Sequence, residues 1–163
     1  MTAEVKRVDH GLVKVLANLA ELKQLSLTIG FQGQTATASY PSGVNVATVA
    51  MFNEFGTINA PARGFLRSTM FEKRGAIAGA FAKGLAPVAE GKREPVEALA
   101  GIGHDVAEMV RDKIDRAPAW ATPLAASTVR KKGHSRPLEE TTLMRNSVTW
   151  AVRKNGAIIA EGT

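Results

Sequence analysis

The sequence predicts an α+β domain. A small, mostly antiparallel sheet of three to four strands carries an N-terminal helix, a short helix and a long interrupted helix packed on it. Three observations lead there. Apolar residues recur at spacings of three and four from Val8 to Lys23, and again from Leu66 to Ile114. They alternate with small or polar residues from Leu25 to Phe31. Asn155-Gly156 separates SVTWAVRK from AIIAEGT, and this dipeptide between strand-like runs is the strongest short hairpin signal in the chain.

Each element follows from its residues. Val8, Leu12, Val15, Leu16, Leu19 and Leu22 form one apolar helical face, with Asp9 placed as N-cap. Leu25, Leu27, Ile29 and Phe31 give a strand buried on one face. ATASYPSG reads as a second short strand ended by Pro41 and Gly43. From Asn45 to Phe55 the pattern is helical, with Val46, Val49, Ala50 and Phe52 inward and Gly56 closing the helix. Pro61 then prevents regular helix through Ala60–Gly64. Leu66, Met70, Ile77, Phe81, Leu85 and Val88 form the next stripe. Pro87, Gly91 and Pro95 predict a break between about residues 86 and 94, with Pro95 in the first turn of the following helix. That helix carries Val96, Leu99, Ile102, Val106, Val110 and Ile114 and ends at Ala117-Pro118. Gly75 and Gly79 offer a place for another helix to approach closely. A loop is expected from Trp120 to Pro137, mobile and basic over about 128–137, then a helical turn from Thr141 to Ser147 before the hairpin.

The 163 residues suit one domain spanning 1–163, with 45% hydrophobic and 22% charged residues. Only 6% are aromatic, so the core relies on small residues and a modest set of Leu, Ile, Val, Phe and Met. The absence of cysteine excludes disulfides and thiolate metal sites. The N-terminus lacks a signal-like apolar core, and no run of about 18 apolar residues marks a membrane span. A net charge of +6 points to a polyanion, either nucleic acid or an acidic protein surface.

Nothing in the chain assembles recognisable chemistry. His10, His104 and His134 lack metal-binding spacing. Glu139 and Glu140 are adjacent and point apart, Gly101-Ile102-Gly103 lacks a third glycine, and Ser127, Ser135 and Ser147 have no nucleophile-elbow context. An enzyme is therefore not expected, and no cofactor or metal site is assigned. The segment RKKGHSR places Arg130, Lys131, Lys132 and Arg136 together without interleaved aromatics. Such a loop suits contact with phosphate backbones or an acidic partner, without sequence reading.

Two stretches carry a resemblance: FNEFGTINAPARGFLRSTM and WATPLAASTVRKKGHSRPLEETTLMRNSVTWAV. In this order, separated by a long helical region, they resemble the head–tail joining or tail-completion (neck) proteins of long-tailed bacteriophages. The matching positions are Glu54, Phe55, Gly56, Thr57, Pro61, Arg63, Phe65, Leu66 and Arg67. In the second stretch they are Trp120, Pro123, Leu124, Ser127, Thr128, Lys132, Gly133, Pro137, Leu138, Thr141, Leu143, Arg145 and Ser147. Gly64 stands where the family usually has proline, and Thr142 where it has glycine.

The resemblance implies a structural virion protein. It would form a homo-oligomeric ring at the head-proximal end of the tail, sixfold to match the tail, with a twelvefold ring as the other option. The ring would join the head connector to the tail terminator or tube, with genomic DNA passing non-specifically through its lumen and no membrane involved. Glu54, Arg63, Arg67 and Trp120 are then expected at subunit or partner interfaces. Arg130, Lys131, Lys132 and Arg136 are expected to face DNA or a partner. Phe55, Phe65 and Leu66 are expected to plug the joint between the two helices into the core. The alternative is a sequence-independent DNA-binding accessory protein of phage or prophage origin.

Overall fold

The computed structural model describes residues 11–139 and 142–163. The fold is α+β, as expected, and a 21-residue helix is its axis. In chain order the elements are α1 (Leu12–Leu22), β1 (Leu25–Gly30), α2 (Gly33–Thr37), α3 (Val46–Phe55), α4 (Phe65–Glu72), α5 (Arg74–Ala89) and α6 (Pro95–Asp115). Then follow α7 (Ala117–Trp120), α8 (Ala126–Lys132), α9 (Leu143–Asn146), β2 (Thr149–Lys154) and β3 (Ala157–Gly162).

α6 reads as its stripe predicts. Leu99, Ile102, Val106, Val110 and Ile114 are buried, and Pro95 occupies the first turn where its missing N–H costs nothing. The helix spans two hydrophobic clusters. Leu99, Ile102 and Val106 pack with Val152, Leu27, Trp150, Ile77, Phe81 and Leu85. Val110 and Ile114 pack with Val46, Ala50, Phe65, Met144 and Val148. One helix therefore fixes the sheet at one end and the α3–α4 joint at the other.

The sheet has three antiparallel strands in the order β1-β2-β3, with Leu27 opposite Val152 and Ile29 opposite Trp150. The predicted hairpin forms at Asn155-Gly156, both with positive φ (51° and 85°), the backbone a tight two-residue connection needs. Its opposite face carries polar groups: Gln32 Oε1 accepts from Thr28 Oγ1 (2.7 Å) and Arg153 Nη2 (3.0 Å).

Helix α6 lies close against this sheet because position 103 has no side chain. A Cβ on Gly103 would stand 2.9 Å from Leu27 Cδ1 and from Trp150 Cβ. Gly103→Ala should therefore cost about 2 kcal/mol, the usual range for overpacking, measured by urea denaturation. The close approach expected at Gly75 and Gly79 is not found; among the described residues no neighbouring element lies within 4 Å of where a Cβ would stand at either. Gly84 takes that role, against Ile102.

Several expectations are corrected. ATASYPSG forms no strand: α2 covers Gly33–Thr37, and one isolated bridge pairs Ser39 with Asn45. Its first two residues are taken up by α2, and the Tyr40–Gly43 turn brings Ser39 back only to Asn45, not to the sheet. The long stripe is interrupted at Lys73 as well as after Ala89, and Pro87 is accommodated within α5. The basic loop expected over 128–137 is helical as far as Lys132, because Ala125–Lys132 contains no breaker before Gly133.

The apolar face of α1 is turned differently from expectation. Leu12, Leu16 and Leu19 are exposed, while Asn18 is buried and donates to the carbonyls of Val88 (3.1 Å) and Arg93 (3.2 Å). A polar anchor holds this helix, and only Val15 and Leu22 at the edge of the stripe are partly covered. Val8, Asp9, His10, Glu140 and Thr141 lie outside the described residues.

Candidate functional site

The joint between α3 and α4 is a closed circuit of hydrogen bonds. Asn45 caps α3 by accepting from the Thr48 amide at 2.8 Å. Val46, Ala50 and Glu54, four residues apart, form the buried row of α3, which points the Glu54 carboxylate inward. At Gly56 the backbone leaves the helix with φ 78° and ψ 178°. The turn closes with Thr57 N donating to Ala60 O at 2.8 Å, and Arg63 N returns to Asn53 O at 2.6 Å.

α4 begins with Gly64 at its N-cap, a residue without a side chain to satisfy the first amides. Glu54 supplies the acceptor from the preceding helix. Its carboxylate takes the Leu66 amide at 2.8 Å, the Arg67 amide at 3.0 Å and Arg67 Nε at 2.9 Å. Arg67 Nη2 closes the circuit on Glu54 O at 2.6 Å. Negative charge at a helix N-terminus is favourable, and here it also fixes the angle between two helices.

Arg63 ties this joint to the second quoted stretch. Its Nε donates to Thr122 O (2.7 Å) and its Nη2 to Pro123 O (3.2 Å). The side chain is buried, which pushes its pKa below the ordinary guanidinium value. Among the described residues it has no carboxylate partner. The two stretches thus meet around a pocket of about 350 Å³. Pro61 and Arg63 line it from the first; Pro123, Leu124, Thr128 and Lys132 line it from the second. Spacing along the chain gives no hint that residues some sixty positions apart converge here.

The sequence-predicted residues therefore divide. Glu54 and Arg63 are buried and engaged within the chain. Arg67 reaches the surface, its guanidinium 5.1 Å from the Phe55 ring centroid. Trp120 is half-buried: its Nε1 donates to Lys113 O at 2.9 Å, and Lys113 Nζ sits 4.4 Å over the ring. Phe65 is fully buried and Leu66 partly so, whereas Phe55, expected in the core, is 66% exposed. The inward row of α3 is already filled by Val46, Ala50 and Glu54, so Phe55 points away. Phe52, expected inward, is also exposed.

Several apolar side chains of the joint thus lie on its outside, which the sequence did not signal. Met51, Phe52, Phe55, Ile58 and Phe71 are all exposed, Ile58 completely. Arg67 and Arg74 sit among them, Arg74 at 5.5 Å from the Phe71 ring. Exposed apolar surface of this kind usually marks a contact site.

The basic residues are displayed by α8. Arg130 and Lys131 are exposed in its last turn, where cations complement the helix dipole. Lys132 is half-buried and donates to Glu139 O at 3.4 Å. Arg136 pairs with Glu139 at 2.5 Å. His134 Nδ1 accepts from the Arg136 amide, and His104 is exposed on α6. Among the described residues no three His, Asp or Glu side chains come together as a metal site.

Compared with family models, curated proteins and solved structures, the chain matches none.

Proposed function

We propose that the chain is a structural subunit of a bacteriophage neck, forming a homo-oligomeric ring at the head-proximal end of the tail. The observation that carries this reading is the set of exposed apolar side chains, Phe52, Phe55, Ile58 and Phe71, on the two helices and turn of a joint tied together by Glu54 and Arg63. Burial of large aromatic side chains among arginines is typical of the core of protein interfaces. A second unpartnered apolar face lies on α1 at Leu12, Leu16 and Leu19. Two different sticky faces on one chain suit head-to-tail contacts, which close into rings when the rotation permits.

In this reading the ring is sixfold, with twelvefold as the other option. It joins the head connector to the tail terminator or tube, in the virion and in the host cytoplasm during assembly. DNA crosses its lumen. A ring multiplies the net charge of +6 by its copy number, so Arg130 and Lys131 become a positive belt suited to weak, sequence-independent contact with phosphates. No reaction is part of this role. Among the described residues no helix is long and apolar enough to cross a membrane.

A second reading, a DNA-binding accessory protein, is favoured by one feature. Arg130 and Lys131 are exposed and have no acidic partner among the described residues. Salt-dependent binding of duplex DNA by the monomer would support it.

Light scattering and electron microscopy decide between them. Concentration-dependent rings without DNA affinity are expected; a permanent monomer that binds DNA would overturn the ring. Phe55→Ser should abolish ring formation while changing stability by less than about 1 kcal/mol, since the exposed ring gives up only its contact with Arg67. Unchanged assembly of this variant would remove these side chains from the interface.

A further inference from the structure

We propose that the Arg63–Lys132 pocket is a receptor for a glutamate side chain presented by a partner polypeptide. The inference rests on the reading of the chain as a subunit assembled among protein neighbours.

The pocket has the composition such a ligand needs. Arg63, only 7% exposed, is a charged group taken out of water with two backbone carbonyls and no described carboxylate to balance it. Burying an uncompensated charge is unfavourable, and a carboxylate arriving beside it offsets that penalty. Lys132, also on the lining, makes one long hydrogen bond to a carbonyl, leaving ammonium donors for an anion. Thr128 lines the same space. Arg63, Lys132 and Thr128 line one volume of about 350 Å³, large enough for a side chain.

Two further features select the ligand. Val49, Pro61, Leu124 and Leu138 supply apolar wall, which suits the methylenes of a glutamate better than a hydrated phosphate. A neighbouring hollow shares Thr128 and Lys132 and adds the exposed Lys131, so positive charge continues from the buried Arg63 out to the surface. That gradient draws an acidic segment in by its charge and seats it by hydrogen bonds.

The test uses the full ¹⁵N-labelled chain and two probes, Ac-Gly-Gly-Glu-Gly-Gly-NH₂ and its glutamine counterpart. Saturable shifts are expected with the glutamate peptide at the Thr128 and Ala125 amides and at the Arg63 Nε–H, in a titration carried to about 10 mM. The glutamine peptide should bind at least about tenfold more weakly, because it lacks the charge. Lys132→Gln should weaken the glutamate peptide about tenfold, and Thr128→Val less, both without loss of fold. Equal binding of the two peptides, no saturable shift, or shifts confined elsewhere would overturn the proposal. Displacement of the peptide by an equal concentration of inorganic phosphate or of a duplex oligonucleotide would overturn the assignment to a polypeptide carboxylate. The outcome is separable from ring formation. Rings formed by a chain that ignores the peptide refute the pocket alone, and peptide binding by a chain that never assembles refutes the ring alone.

Discussion

Gly56→Val is expected to lower the unfolding free energy by about 4 kcal/mol. Two costs add. At φ 78° and ψ 178° the backbone lies in a region that is essentially confined to glycine, and a β-branched residue resists it most. A Cβ there would also stand 2.8 Å from Ala62 N and 3.0 Å from Ala60 O. Both are backbone atoms of the turn that returns the chain to α3, so neither can swing aside. Gly56→Ala should therefore be nearly as damaging as valine. The urea midpoint should fall with little change in its slope; a loss below about 1 kcal/mol would mean that the turn rebuilds itself freely.

Glu54→Ala should cost about 3 kcal/mol, and the reason is the backbone rather than the ion pair. Arg67 is well exposed, with 62% of its side chain accessible, so its attraction to Glu54 contributes little after screening. The carboxylate also accepts the amides of Leu66 and Arg67, at 2.8 and 3.0 Å, where no other cap exists because position 64 is glycine. Removing it leaves two donors at a helix start without an acceptor and a void where a buried side chain stood. Two controls separate these terms. Arg67→Met should cost less than about 1 kcal/mol, and Glu54→Gln, which keeps one acceptor oxygen, should fall between. Equal losses for Glu54→Ala and Arg67→Met would show that the ion pair dominates after all.

Much of the architecture is legible from residue patterning where a single physical signal acts alone. The α6 stripe is long, uninterrupted and flanked by Pro95 and Pro118, so its buried face could be read directly. Asn155-Gly156 needs only two positive φ angles, and both residues accept them. The α3–α4 bend follows from Gly56 and Pro61.

Illegible features arise where a long-range partner outweighs local pattern. Asn18 displaces Leu12, Leu16 and Leu19 from the interior because two carbonyls, at Val88 and Arg93, require a donor. Nothing within α1 announces them. Glu54 is expected at an interface, but it is buried because α4 starts beneath its carboxylate. Arg63 is expected at an interface, yet its acceptors are the chain's own carbonyls of Thr122 and Pro123. The α8 segment, which lacks an apolar face and runs into Gly133, is read as loop; Ala126–Lys132 instead forms seven helical residues ending at that glycine.

The way α1 is held has a mechanical consequence. Most helices are glued down by their oily side, and prising one off exposes the interior. Here the outward leucines are already wet, and the fastening is one amide latch, two largely solvent-facing ion pairs (Lys14–Glu94 and Glu21–Lys154) and a partial apolar margin at Val15 and Leu22. Unlatching it leaves the Phe65-centred packing untouched and takes only Leu22 from the periphery of the other cluster. Such a segment opens well below the cost of melting the whole molecule, so it is a natural arm to lend to a neighbour and take back.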